Sequence, residues 1–315
     1  MKTDYPDKKK APFRTFVLSP AGVLLSVISA LCFSTLGIFA TALYSMGFSV
    51  QQALAWRFTF SSILLWFFLA VRQAARKKSG EKLSKPKTAR IAHLLLLALF
   101  GFAPQAGLYF ITVKMLAPGI TSLLLYLYPS FVLVISAVFL GRKASKVQVF
   151  ALFLSFSGCA LTFFQPGNYP VLGLVLGVVV ALAYSLYLVM GELVLYRFDS
   201  IFATAVIMSV ATVVYWGWVL LSGDMVRVPD STMAWLSVIG IALFATVLPI
   251  TTLFSAMRKI GAANVSLIST IEPVSTVLLS LLVFQEALKT GSIVGGTLIL
   301  TAVIVLQMES GNQKD

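Results

Sequence analysis

The sequence predicts an all-α membrane protein: ten transmembrane helices in two inverted five-helix repeats, with both termini cytoplasmic. Three observations predict it. The chain is 59% hydrophobic and only 11% charged, with a mean hydropathy of +0.94. Its basic residues gather on alternate connections between apolar runs. Its second half repeats the polar landmarks of the first.

Composition sets the class. A soluble domain carries roughly 25% charged residues, so a chain this apolar must place most of its surface against lipid. The net charge of +13 does not point to nucleic acid, because the cations lie between apolar runs and not on one face. Cys32 and Cys159 both fall inside apolar runs and read as packing residues, with no disulfide or metal spacing. The polar, basic start of the chain is followed by an apolar stretch too long for a cleavable signal core, which reads as a retained span.

Ten runs are long enough to cross a bilayer: about 20–44, 53–71, 91–112, 119–140, 147–165, 172–194, 201–221, 233–254, 263–284 and 292–308. With the N-terminus inside, cytoplasmic segments hold twenty Lys and Arg residues. External connections hold three, Lys114, Arg227 and Lys289, and Arg57 is left within a span. That asymmetry satisfies the positive-inside rule with both ends in the cytoplasm. The loop at 72–90 is an orientation determinant in contact with anionic lipid, with partner docking as the alternative. These bounds give a basic tail (1–18), a first repeat (19–165), a second repeat (171–308) and a short tail (309–315).

The repeat emerges at a shift of 144 residues. Lys114 meets Arg258, Ser122 meets Ser266, Pro129 meets Pro273 and Ser136 meets Ser280. Spans one and six correspond at a shift of 151, where Gly22 meets Gly173 and Ala30 meets Ala181. Five spans per half is an odd number, so the second copy enters the membrane in the opposite sense. Inverted repeats place a site near mid-depth where the halves meet and allow it to open to either side.

Intramembrane polar residues mark that site. In "LISTIEPVSTVL" (267–278), Glu272 lies near the bilayer centre, where an acid costs roughly 2.5–3.5 kcal/mol. It must face protein or a wet cavity. Pro273 frees a backbone carbonyl near Ser269 and bends the helix. The competing reading of Glu272 is a buried acid that only pins helices together. In the first half, Tyr128 is its repeat mate beside Tyr126 and Pro129. Tyr184, Tyr187 and Tyr109 extend a polar aromatic wall suited to a small amphiphilic solute. Gln105 is a further lining candidate. Arg57 has two readings, snorkelling outward or pairing with a substrate carboxylate, and the first is favoured. His93 reads as interfacial before a proton relay, and Glu192 as a partner of Arg197. The pairs Gly173/Gly177 and Gly291/Gly295 read as helix contacts. No phosphate loop, HExxH, GxSxG or acidic metal cluster occurs, so the reading includes no ATP-driven step, metal, cofactor or enzyme activity.

At the repeat the chain resembles the drug/metabolite transporter superfamily, in particular its ten-span EamA-type permeases. The resemblance rests on "ALCFSTLGIFATAL" in span one and on 258–306 across spans nine and ten, with the proline of span nine, Glu286 after it and the glycine-rich start of span ten. It implies a cavity lined mainly by spans one, three, four, six, eight and nine, which adds Ser34 and Thr246 to the candidates. It also implies a bacterial inner-membrane exporter or exchanger of a small metabolite such as an amino acid, coupled to a proton or a counter-substrate and present as monomer or homodimer. Arg142 stands where Glu286 stands in the second half, which departs from the pattern. The alternative functions are a non-transporting scaffold or sensor and, less favoured, a membrane enzyme.

Overall fold

Proline and threonine decide where the apolar runs stay continuous and where they break. The computed structural model describes residues 19–78, 88–140, 145–163, 169–195, 198–285 and 290–312. Glu286, Arg142, Arg197, Lys289 and the central part of the basic loop (79–87) lie outside the described residues, and nothing of the Glu192 side chain is described.

Span one is two helices, α1 (Pro20–Ser34) and α2 (Leu36–Ser45). Ser19 caps α1 by accepting from the Gly22 amide, with Pro20 in the first turn. The break falls at Thr35, whose hydroxyl donates to the Cys32 carbonyl at 2.6 Å. Next come α3 (Val50–Lys78) and α4 (Thr88–Leu96), then a π-helical stretch, Leu97–Phe102, leading into α5 (Ala103–Met115). Span four is again two helices, α6 (Pro118–Leu125) and α7 (Tyr128–Leu140). They are followed by α8 (Lys146–Phe163), α9 (Val171–Leu195), α10 (Ser200–Leu221) and α11 (Thr232–Ala242). A second π-helical stretch, Leu243–Val247, leads into α12 (Leu248–Ser269); α13 (Ile271–Phe284) and α14 (Thr290–Asn312) complete the chain. No strand occurs among the described residues. Seven helical segments are long and apolar enough to cross a membrane, and three shorter apolar ones span Lys146–Leu161, Ile271–Phe284 and Thr290–Leu306.

The non-α features fall at matching places. Each π-helical stretch directly precedes a helix with proline second, Pro104 in α5 and Pro249 in α12. Proline has no N–H to give the carbonyl four residues back, so the ladder slips by one residue. The breaks before Pro129 and Pro273 fall at Tyr126–Leu127 and Thr270, which correspond at the 144-residue shift. Each proline then sits in the first turn of a new helix, where the missing N–H costs least. The connection expected at 255–262 is itself helical, inside α12. Its first-half counterpart carries Pro118 and is extended at Leu116 (φ −119°, ψ 160°), whereas 255–262 holds no proline.

Packing joins the two halves span by span. α3 packs along α10, α8 along α14, α1 along α12, and α9 against α5 and α7. Glycines set the close approaches. A Cβ on Gly22 would stand 2.4 Å from Ile260 Cγ2 and 3.1 Å from Lys259 Cβ; one on Gly173 would stand 2.9 Å from Leu116 Cδ2 and 3.3 Å from Met115 Cβ. These two sets of contacts exchange under the 151- and 144-residue shifts. Gly295 also serves packing, because its carbonyl oxygen faces Gly158. On the face opposite, Trp56 and Gln52 of α3 bond the carbonyls of Arg227 and Met225, tying down the segment between α10 and α11. A hollow of about 460 Å³ there is lined by Gly47, Ser49, Gln52 and residues Asp224–Arg227.

A Cβ on Gly158 would lie 2.4 Å from the Gly295 oxygen, a backbone atom that cannot step aside cheaply. Gly158→Ala should therefore lower thermal stability in detergent, by about 1–3 kcal/mol for an overpacked contact. Gly217→Ala, which meets nothing within 4 Å, should be neutral or slightly stabilising in the same melt.

Candidate functional site

The site begins with the backbone break in span nine. Pro273 cannot bond the carbonyl of Ser269, and that carbonyl accepts instead from the Tyr126 hydroxyl at 2.8 Å. The same hydroxyl lies 3.2 Å from Glu272 Oε2. Tyr126 stands in the corresponding break of the first half, so that interruption supplies the donor that span nine lacks. A phenol has one proton for these two acceptors. The carboxyl contact is fully satisfied only when Glu272 brings its own proton or when another donor reaches it.

Aromatic rings continue from Tyr126. Its ring lies 5.8 Å from Tyr128, which is 5.0 Å edge-on from Tyr184, which is 6.2 Å from Tyr187. The chain of rings goes on through Phe102 (5.7 Å) to Phe58 (5.6 Å). The Arg57 guanidinium lies over Phe58 at 4.9 Å and over Phe110 at 5.4 Å. Arg57 Nε donates to Thr246 Oγ1 at 3.0 Å, and Thr246, in the π-helical stretch, donates onward to the carbonyl of Ile241, five residues back in α11, at 2.9 Å. Arg57 is thus turned into the protein, with 6% of its surface exposed. This corrects the snorkelling expectation. Thr246 and the two rings hold the cation more directly than the membrane surface can.

The hydroxyls of Tyr109, Tyr128, Tyr184 and Tyr187 have no hydrogen-bond partner among the described residues. None of them is among the unpartnered polar atoms sealed from accessible space, which among the described residues are the hydroxyls of Thr41, Ser130 and Ser155. Tyr109 lies within electrostatic range of both Glu272 and Arg57. The structure therefore gathers Glu272, Tyr126, Tyr128, Tyr184, Tyr187, Tyr109, Thr246 and Arg57. Gln105 is buried in α5 with no bond tying it to this cluster among the described residues. The Ser34 hydroxyl is turned to its own helix, onto the Leu31 carbonyl at 2.7 Å. His93 is exposed on α4, as an interfacial residue would be. Among the described residues no cluster of His, Cys, Asp and Glu could hold a metal.

Phe58, Phe102 and Phe110 escape sequence reasoning. A phenylalanine in an apolar run carries no signal of its own, and only the convergence of Phe58 and Phe110 on Arg57, with Phe102 between Phe58 and Tyr187, shows their part. The break at Tyr126–Leu127 had one clue, the proline two residues on.

The profile of the EamA-like transporter family matches residues 20–164 and again 171–308. The chain belongs to that family. An uncharacterized transporter of Archaeoglobus fulgidus is 25% identical over 69% of this chain and 76% of its own length. The Bacillus subtilis proteins named uncharacterized transporter YyaM and YcbK are 24% and 26% identical, over 88% and 87% of this chain and 92% and 89% of their own. A solved crystal structure shares the fold, with a TM-score of 0.61 at 18% identity over 94% of this chain and 99% of that one. EamA-like membership makes this a multi-pass membrane protein of transporter type and not an enzyme.

The Tyr126–Ser269 bond gives a double-mutant test. Tyr126→Phe leaves a buried carbonyl unsatisfied and should cost about 1–3 kcal/mol. Pro273→Ala restores an N–H for that carbonyl. The double variant should then be more stable in detergent melts than the sum of the two single effects. Strict additivity would show that the hydroxyl does not serve Ser269.

Proposed function

We propose that this EamA-like protein is a secondary transporter, an exporter or exchanger of a small polar or amphiphilic metabolite such as an amino acid, in the bacterial inner membrane. The observation that carries the reading is Glu272, a central carboxyl held by a tyrosine from the other half beside four phenols that reach accessible space. A half-buried acid beside donors that have no partner among the described residues is the chemistry of a solute site.

The mechanism is alternating access between two inverted five-helix repeats in a ten-span chain with cytoplasmic termini. Three findings support it. Gly119 lies against Val277 and Ser280 while Tyr126 meets Ser269, so α6 and α13 run antiparallel. The glycine contacts of spans one and six exchange under the repeat shifts. The matched π-helical stretches and prolines give both halves bends at equivalent depth. Binding in one half therefore meets an equivalent surface in the other, and the two arrangements can interchange by rocking. Glu272 takes the substrate amine or a proton, and the tyrosines form the wall. Pro129 and Pro273 keep the two breaks open.

A stabilisation screen of the detergent-purified protein with amino acids, nucleosides and organic acids selects the solute for flux measurements. In proteoliposomes, Glu272→Gln should slow uptake of that solute by roughly tenfold to a hundredfold, the worth of a charged hydrogen bond, and should flatten its pH dependence. Parental rate and parental pH dependence in this variant would remove Glu272 from the mechanism.

A further inference from the structure

We propose that Arg57 is an anion subsite, which binds a carboxylate of the transported solute at the opposite end of the aromatic wall from Glu272. The inference rests on the transport reading and deepens it, since it assigns the solute a second, negative pole.

Among the described residues Arg57 is a buried cation without an anion. Every carboxylate whose side chain is described has another partner. Asp199 pairs with Arg72, Asp230 with Arg227, Asp224 accepts from Gln51, and Glu272 accepts from Tyr126. Only Nε of the guanidinium is hydrogen-bonded, to Thr246. Its two terminal nitrogens have no partner among the described residues, and they are not among the polar atoms sealed from accessible space. The residue is more than nine-tenths buried and its free edge still meets open volume. A buried charge left uncompensated costs several kcal/mol, and two aromatic faces offset only part of that. A planar fork with two free N–H groups is the geometry that receives a carboxylate side-on.

Thr246 and the π-helical stretch hold the fork in place. Thr246 accepts from Nε and anchors itself on Ile241, so the guanidinium plane is set before a ligand arrives. Phe58 and Phe110 hold its faces. Tyr109 lies in range of both Arg57 and Glu272, and the ring chain Tyr126–Tyr128–Tyr184–Tyr187–Phe102–Phe58 joins the two poles. An elongated solute with an amine at one end and a carboxylate at the other fits this arrangement, whereas an α-amino acid, with both groups on one carbon, reaches only one pole at a time. A solute with the amine alone leaves Arg57 unpaired and is selected against.

The test uses 4-aminobutyrate, 6-aminohexanoate and 8-aminooctanoate, each also as its methyl ester (amine only) and its N-acetyl derivative (carboxylate only), with alanine, whose two groups share one carbon, as the short control. Thermal stabilisation of the full chain in detergent and flux in proteoliposomes are both read. At least one free amino acid should stabilise the parent protein, and its two derivatives should bind at least about tenfold more weakly. Arg57→Gln should weaken that amino acid by a similar factor while leaving the ester unchanged, a split that a merely structural residue would not give. Arg57→Lys, which keeps the charge without the planar fork, should fall between the two in KM and serves if Arg57→Gln does not fold. The proposal is overturned if an ester binds as tightly as its amino acid, if Arg57→Gln carries the amino acid with the parental KM, or if no compound of the panel binds. Flux of a neutral or purely cationic solute in that last case would leave the transport reading standing and remove only the anion subsite. Absence of flux for every solute removes both.

Discussion

Inside a bilayer each polar group must find its partner within the protein, and the hydrogen bond from Tyr126 to Ser269 meets that demand where a proline interrupts the helix. Pro273 takes away the donor that an unbroken helix would supply. A tyrosine from the other half replaces it and in the same contact reaches Glu272. The bond fixes the lateral position of α6 against α13, and Gly119 lets the two backbones close beside it. Loss of the proline, the phenol or the glycine disturbs the same junction.

The interruptions of the helical ladder are not scattered. Span one breaks at Thr35, span four at Tyr126–Leu127 and span nine at Thr270, while spans three and eight carry the π-helical stretches. The long helices α3 and α10, and likewise α8 and α14, are continuous and pack along one another. Regular helices thus form a frame, and irregular backbone gathers around the acid and the phenols. Backbone that leaves the α-helix is tolerated at membrane depth where it is enclosed by protein or lines a cavity. The prolines place these interruptions at corresponding points of the two halves of the sequence.

The two buried charges are handled differently. Glu272 has a phenol proton shared with a carbonyl, a weak and easily exchanged contact. Arg57 has one firm bond, two ring faces and a free edge. Neither is neutralised by the other. A pair in direct contact would be a structural staple with no room for a ligand. The two charges are instead separated and joined by a chain of aromatic rings.

The membrane class, the helical runs and the special place of Glu272–Pro273 were legible in the sequence because they depend on composition and local chemistry. Apolar length sets the spans, and a proline must free the carbonyl one turn back. Tyr128, the repeat mate of Glu272, and Tyr126 beside it were legible as landmarks of the repeat. The fate of Arg57 was not. Its outward and inward poses have the same local sequence, and only Thr246, Phe58 and Phe110, which come from three separate spans, choose between them. The helical run through 255–262 also escaped, since the polar residues there suggest a loop while the absence of proline permits a helix. Local backbone chemistry is written in neighbouring residues, but the partner that satisfies a freed carbonyl or a buried cation arrives from a distant helix, and only tertiary structure decides which one it is.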